Sequence, residues 1–420
     1  MTDGRTNFVK SGHLPTLLLA FLYFAISMMV WVLLGGLSVD IGDDFGLTVS
    51  QRGLLVATPI LSGSLVRVPL GVLVDRIGPK RTGLVVQLMV LILLAWAWLC
   101  ADRLSEVIAF ACFLGVAGGS FAVALPLASR WYPPQHQGLA MGIVGAGNGG
   151  TVLAALLAPR LAERVGWHNV FGYALLPLLV TLALYIAFAK ESPSQPAPKS
   201  LRVYLGLCRE RDMLWFCLFY GFTFGGFVGL ASFLLIFFHD QYGLATVTAG
   251  TFTALCVFAG SVLRPVGGYL ADRLGGPWTL TVVFFTASLG LWAVALLPPL
   301  WLATALLCTV LSLLGLGNGA VFQLVPQRFR REIGVATGVV GAAGGLGGFL
   351  LPALLGLSRD VTGSYGAGFF CVGLVGFACL LLLRVAQRDW QTLWLAKTFH
   401  AIRLAPQALE LSAHRRTHER

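Results

Sequence analysis

Long apolar runs dominate the chain, and short loops between them carry nearly all of its charge. A run of about 20 apolar residues is long enough to cross a bilayer as a helix. Twelve such helices are predicted, over 14–38, 51–74, 82–100, 105–129, 137–159, 167–189, 213–238, 246–271, 278–297, 300–326, 333–357 and 365–386. The polar stretch 190–211 holds Glu191-Ser192-Pro193-Ser194-Gln195-Pro196-Ala197-Pro198-Lys199 and reads as a flexible linker. The pattern therefore predicts an all-α integral membrane protein. A six-helix bundle fills 1–189, the linker 190–211 follows, a second bundle fills 212–387, and a polar tail fills 388–420.

The two halves repeat one another. Arg67-Val68-Pro69-Leu70-Gly71-Val72-Leu73-Val74-Asp75-Arg76 returns as Arg264-Pro265-Val266-Gly267-Gly268-Tyr269-Leu270-Ala271-Asp272-Arg273, 197 residues later. Gly115, Gly119, Pro126 and Arg130 match Gly315, Gly319, Pro326 and Arg330 at an offset of 200. The fifth helix carries Gly145-Ala146-Gly147-Asn148-Gly149-Gly150, and the eleventh carries a related run from Gly341 to Gly348. Parallel six-helix repeats are the plan of the major facilitator superfamily. The segment Gly71 to Arg81 resembles that superfamily's loop between helices two and three, and Gly268 to Gly276 resembles a shorter copy. The resemblance implies a conformational latch built from Gly71, Asp75 and Arg76, with Gly268, Asp272 and Arg273 as its counterpart.

Composition sharpens this picture. Only 11% of the 420 residues are charged, against about 25% in soluble domains. With both termini placed in the cytoplasm, 22 of the 29 Lys and Arg fall on that side, five on the outer side and two inside the membrane. That asymmetry is a strong positive-inside signal. It accounts for the net charge of +11 without nucleic acid, and anionic lipid headgroups are the natural partner of the short basic loops. The eight cysteines form no C-x-x-C pair and read as small packing residues. No cleavable signal peptide is apparent. In the tail, Trp390, Leu393, Trp394, Phe399 and Ile402 beside Lys397 and Arg403 suggest an interfacial helix. His414 and His418 lack further ligands, so no metal site is expected.

The chemistry centres on the two intramembrane arginines. Arg67 lies eight residues before Asp75, about 12 Å along a helix, and Arg264 has the same depth. A charge there costs several kcal/mol unless paired or hydrated. None of the 18 Asp and Glu falls in the middle of a predicted helix. The counter-ion is therefore expected to be a negatively charged substrate, and the planar guanidinium fork suits a flat oxyanion. Glycine runs let helix backbones approach closely and keep the site small. Asn148 is a polar side chain within such a run and can donate to an anion.

These segments resemble the nitrate/nitrite porter family of the superfamily. The resemblance covers nearly the whole chain. It rests on the arginine pair, on Gly145 to Gly150, and on Gly344-Gly345-Leu346-Gly347-Gly348-Phe349 with Pro352. It implies nitrate and nitrite as substrates, bound by Arg67, Arg264, Asn148 and Tyr220, between Phe121 and Phe224, beside Gly145 and Gly344. One departure lies in the first helix: Met28 and Met29 precede Val30-Trp31, where some members have an aromatic residue. The second glycine run also lacks an Asn.

The expected mechanism is alternating access across the inner membrane. Like charges on Arg67 and Arg264 oppose closure until an anion binds, which favours nitrate/nitrite exchange. Nitrate–proton symport is the alternative, although no Asp, Glu or His buried within a helix offers a proton site. An enzyme is not expected, since neither H-E-x-x-H nor G-x-S-x-G occurs. A nitrate sensor would need an output domain. No cofactor motif is present, and the superfamily resemblance implies a monomer. Charge alone also admits formate, bicarbonate or small organic acids.

Overall fold

Three pairs of glycines carry the repeat into the backbone. Gly46 and Gly243 have φ of 62° and 64°, Gly78 and Gly275 of 93° and 93°, and Gly166 and Gly363 of 79° and 71°. Members of each pair stand 197 residues apart, the spacing of Arg67 and Arg264. Glycine enters this region without the Cβ penalty that other residues meet. Each pair closes a turn between successive helices at the same place in its half.

The computed structural model describes residue 8 and residues 11–193, 206–329 and 333–390. Twelve of its helices are long and apolar enough to span a membrane. They are α1 (Leu14–Trp31), α2 (Val49–Ile77), α3 (Pro79–Cys100), α4 (Leu104–Ser129), α5 (Ala140–Val165), α6 (Trp167–Phe188), α7 (Arg211–Tyr242), α8 (Thr246–Leu274), α9 (Gly276–Ala295), α10 (Leu300–Arg328), α11 (Val335–Thr362) and α12 (Gly366–Trp390). No strand occurs among the described residues. Helices satisfy their own backbone groups, which hydrocarbon requires. Most of the expected linker and all of the tail beyond Trp390 lie outside the described residues, and with them the expected interfacial helix and His414 and His418.

Helix boundaries fall a few residues from those expected, because caps rather than hydropathy set them. At α2, Thr48 Oγ1 accepts from Gln51 N at 3.3 Å while Thr48 N donates to Gln51 Oε1 at 2.9 Å, a capping box. The expected first helix over 14–38 is not continuous. It breaks after Trp31 and proceeds through Leu33–Gly36 and Ser38–Asp44. The fifth tightens to a 3₁₀ turn at Ala146–Gly149. There Gly147 packs on α1 so closely that a Cβ would lie 2.7 Å from Phe24 Cδ1. Burial is greatest in α7, whose apolar window is 94% buried, and in α1 and α4 at 72%. These three form the centre, while α3, at 33%, lies on the periphery.

Across the halves, α2 packs on α11 and α5 packs on α8. With twelve spans, the segments before α1 and after α12 leave from one face, termed here the terminal face; the other is the distal face. On the distal side the halves meet backbone to backbone. A Cβ on Gly53 would lie 2.6 Å from Pro352 O, on Gly250 2.6 Å from Ala155 O, and on Gly356 2.9 Å from Ser50 Cα. Two polar ties cross the same seam: Ser50 N donates to Asp360 Oδ2 at 3.0 Å, and Arg160 Nη2 donates to Thr251 Oγ1 at 2.8 Å. On the terminal side, a Cβ on Gly71, Gly142 or Gly338 would meet no atom of the described residues within 4 Å. Each stands three or four residues from a group at the arginine level: Arg67, Gly145 and Gly341. The halves thus meet backbone to backbone distally, while these three terminal-side positions stand clear of the described residues.

The loop motif forms a contact within its own half. Arg130 Nη2 pairs with Asp75 Oδ1 at 2.9 Å, joining α4 to the end of α2. Both residues belong to the N-terminal half, so this pair does not tie the halves together in this state. Arg76 is exposed. In the second half Asp272 and Arg273 are exposed, Arg273 lies 4.6 Å from the Tyr269 ring, and Asp272 makes no ion pair among the described residues. Arg328 there pairs with Asp212 and, at 3.2 Å, with Glu210.

Cysteines introduced together as Ser50→Cys and Gly356→Cys, with native cysteines replaced, test the distal seam. They are expected to cross-link on mild oxidation. The bond should open again on reduction. Failure to cross-link would show that these backbones do not meet.

Candidate anion-binding site

Arg67 projects from the middle of α2 and is 1% exposed; Arg264, on α8, is 8% exposed. Neither forms an ion pair among the described residues. Arg67 Nε donates to Gly118 O of α4 at 3.1 Å, and its Nη1 donates to Gly341 O of α11. Arg264 Nη2 faces the Tyr220 hydroxyl oxygen at 3.4 Å. That leaves Arg67 Nη2 and Arg264 Nη1 buried with no hydrogen-bond partner among the described residues. Each arginine also faces a glycine of the opposite half: Arg67 meets Gly341, and Arg264 Nε would lie 3.6 Å from a Cβ on Gly145.

Two phenylalanines sit between the charges. The Arg67 guanidinium lies 5.8 Å from the Phe121 ring and 5.3 Å from the Phe224 ring; for Arg264 the distances are 5.7 and 5.9 Å. Both cations thus share the same two rings, whose faces are the negative part of the quadrupole. Tyr220 stacks on Phe224 with centroids 5.0 Å apart and planes within 4°. Gly344 permits that stack, since a Cβ there would fall 2.5 Å from Tyr220 Cδ1.

Asn148 lies in the 3₁₀ turn of α5 and is 1% exposed. Its Nδ2 and Oδ1 have no partner among the described residues, while its carbonyl accepts from Thr151 Oγ1 at 2.7 Å. An unpaired buried amide costs a few kcal/mol, as does an unpaired guanidinium N–H. Helices α2 and α5 of one half and α7 and α8 of the other thus supply donor side chains, and no carboxylate pairs with either arginine among the described residues. This set suits a small anion held by charge-assisted hydrogen bonds between aromatic walls. No group of three His, Cys, Asp or Glu among the described residues is placed to hold a metal ion.

Some of the environment was not legible beforehand. Trp31 supplies the wall on α1: its ring lies 5.3 Å from the Arg67 guanidinium and its Nε1 donates to Pro59 O at 2.7 Å. Met28 and Met29 are buried in the core. Phe322 of α10 packs edge-on against Phe121 at 5.6 Å and Tyr220 at 4.8 Å, bridging the halves. The Gly118 and Gly341 carbonyls have no side chain to betray them.

Comparison with known proteins identifies the fold and the family. Residues 19–352 match the model of the Major Facilitator Superfamily, a class of membrane transporters. Two solved structures share the fold: a bacterial homologue of the human lysosomal transporter Spinster, in an inward-facing and occupied conformation, and a D-xylose–proton symporter. The first has a TM-score of 0.68 at 18% identity, over 89% of this chain and 96% of that one. The second has 0.69 at 14%, over 88% and 97%. At higher identity stand a "Nitrite extrusion protein" of Bacillus subtilis, 35% identical over 84% of this chain and 90% of its own, and a "Probable nitrate/nitrite transporter NarK2" of Mycobacterium tuberculosis, 33% over 85% and 92%. A "Probable nitrate/nitrite antiporter NarK1" of Thermus thermophilus is 31% identical over 91% and 95%. The chain belongs to the nitrate/nitrite porter family of the Major Facilitator Superfamily.

Two substitutions probe the stack beside Arg264. Gly344→Ala should force Tyr220 aside and lower stability by about 1–3 kcal/mol, as overpacking does; chemical denaturation measures it. Tyr220→Phe removes only the hydroxyl. It should lower stability by about 1–3 kcal/mol, since Arg264 Nη2 loses its acceptor, while raising the half-saturation concentration for anion uptake several-fold.

Proposed function

We propose that the protein moves nitrate and nitrite across the plasma membrane by alternating access, exchanging one for the other. The observation that carries this reading is the buried arginine pair with no carboxylate partner, sharing two aromatic rings. The names of the relatives supply the identity of the anion. Arg67 and Arg264 hold the charge, Asn148 and the Tyr220 hydroxyl donate to its oxygens, and Phe121 and Phe224 flank its plane. Gly145 and Gly344 let the walls come close. The working unit is a monomer.

The excess of Lys and Arg on the terminal face makes that face cytoplasmic. With the distal seam closed and the terminal side looser, this conformation faces inward. To expose the site outward, α2 must part from α11 and α5 from α8 while the terminal halves meet. The glycines Gly71, Gly142 and Gly338 leave room for that approach. The Asp75–Arg130 pair then belongs to the latch that holds the outward state, with Gly71 and Arg76 beside it and Gly268, Asp272 and Arg273 as the weaker second copy.

Exchange follows from electrostatics. When the emptied site closes and loses water, the two cations repel in a low dielectric, and only a bound anion offsets this. The return step therefore requires a substrate. Purified protein in proteoliposomes should take up nitrate when nitrite or nitrate is inside and stay silent when buffer alone is inside. Net nitrate uptake into anion-free vesicles, driven by an inward proton gradient, would replace exchange with symport. An absence of nitrate movement in every condition would refute the substrate.

A further inference from the structure

One buried polar side chain is not used by this mechanism. Asn318 of α10 is 1% exposed, and both its Nδ2 and its Oδ1 lack a partner among the described residues. Its place is fixed by its neighbours. On one side, a Cβ on Gly317 would lie 2.6 Å from Thr223 Cγ2 of α7, the residue before Phe224. On the other, Gly319 packs directly on the Arg264 carbonyl of α8. Asn318 is therefore level with Arg264. It also lies one helical turn from Phe322 and on the same face. Phe322 points into the site, against Tyr220 and Phe121. Thr223 Oγ1 is likewise buried and without a partner among the described residues.

The repeat explains why an amide stands there. At the offset of 200, Asn318 occupies the place of Gly118 in the first half, whose carbonyl accepts from Arg67. A Cβ on Gly118 would fall against the Trp31 indole, the ring beside Arg67. In the first half a tryptophan thus fills the space beside the arginine. In the second half the equivalent position on α10 carries an amide, flanked by Gly317, which packs on Thr223, and Gly319, which packs on the Arg264 carbonyl. The N-terminal half offers the anion an Arg and Asn148. The eleventh helix has no matching Asn, and the tenth supplies one instead.

We infer that Asn318 is a further ligand of the transported anion, the C-terminal counterpart of Asn148, donating from the Arg264 side. The inference rests on the reading above that the arginine pair binds nitrate or nitrite. It assigns the site two cations and two amides, one of each from each half. A buried amide with neither a protein partner nor a ligand would be a standing penalty, whereas a hydrogen bond to a charged acceptor contributes about 1.5–3 kcal/mol.

The test uses the full-length protein and two readouts: the half-saturation concentration for nitrate in exchange, and melting in detergent with and without nitrate. Asn318→Leu keeps the volume and removes the amide. A merely structural Asn318 predicts equal or better stability and unchanged transport. A ligand predicts melting without nitrate at the same or a higher temperature, with the half-saturation concentration raised about tenfold or more. Asn318→Ser, which keeps a donor, should recover part of that loss. Asn318→Ala carries the test should the leucine variant fail to fold. A change of less than threefold in both apolar variants overturns the assignment and leaves the arginine site standing. If the unmodified protein responds to neither nitrate nor nitrite, the reading of the site fails first and Asn318 falls with it.

Discussion

Two like charges buried within reach of the same two aromatic rings constrain everything else in this molecule. No carboxylate pairs with Arg67 or Arg264 among the described residues. Their partial relief comes from carbonyl oxygens at Gly118 and Gly341, the Tyr220 hydroxyl and the ring faces of Phe121, Phe224 and Trp31. None of these carries a full negative charge. What remains is positive charge with no resident counter-ion among the described residues.

Glycine makes this arrangement movable. At the distal seam Gly53, Gly250 and Gly356 let backbones meet without side chains between them. At the arginine level Gly344 and Gly341 admit an aromatic stack and a guanidinium. One turn further toward the terminal face, Gly71, Gly142 and Gly338 stand clear of the described residues. The same residue type that permits close approach when one side closes leaves space when the other opens. Packing without interlocking side chains suits two rigid halves that rock, because little must be repacked at each stroke.

Much of this was legible in the sequence for a physical reason: membrane helices leave few ways to hide a charge. Hydropathy located the twelve spans, and the shared offset of Arg67 and Arg264 located the site within them. Of the residues the family resemblance implies, Tyr220, Phe121, Phe224 and Gly145 neighbour an arginine in the structure, Gly344 abuts Tyr220, and Asn148 is buried in the 3₁₀ turn of α5. What stayed illegible depends on tertiary approach. The break after Trp31 has no proline or charge to announce it. Trp31 reaches Arg67 only because Gly63 and Gly118 of α2 and α4 make room for its ring. Phe322 and Asn318 look like ordinary residues of an apolar helix until α10 is seen to face α7. The choice of Arg130 as the partner of Asp75 likewise needed the fold.

The central claim is that the arginine charges are uncompensated until an anion arrives. The most direct test is the thermal stability of the Arg67→Leu, Arg264→Leu protein beside the unmodified one, without and with nitrate. The account predicts that the double variant melts at a higher temperature than the unmodified protein in nitrate-free buffer, because two uncompensated buried charges are gone. It also predicts that nitrate raises the melting point of the unmodified protein only, by ligand linkage. A double variant that melts lower in nitrate-free buffer, or is still stabilised by nitrate, would contradict it.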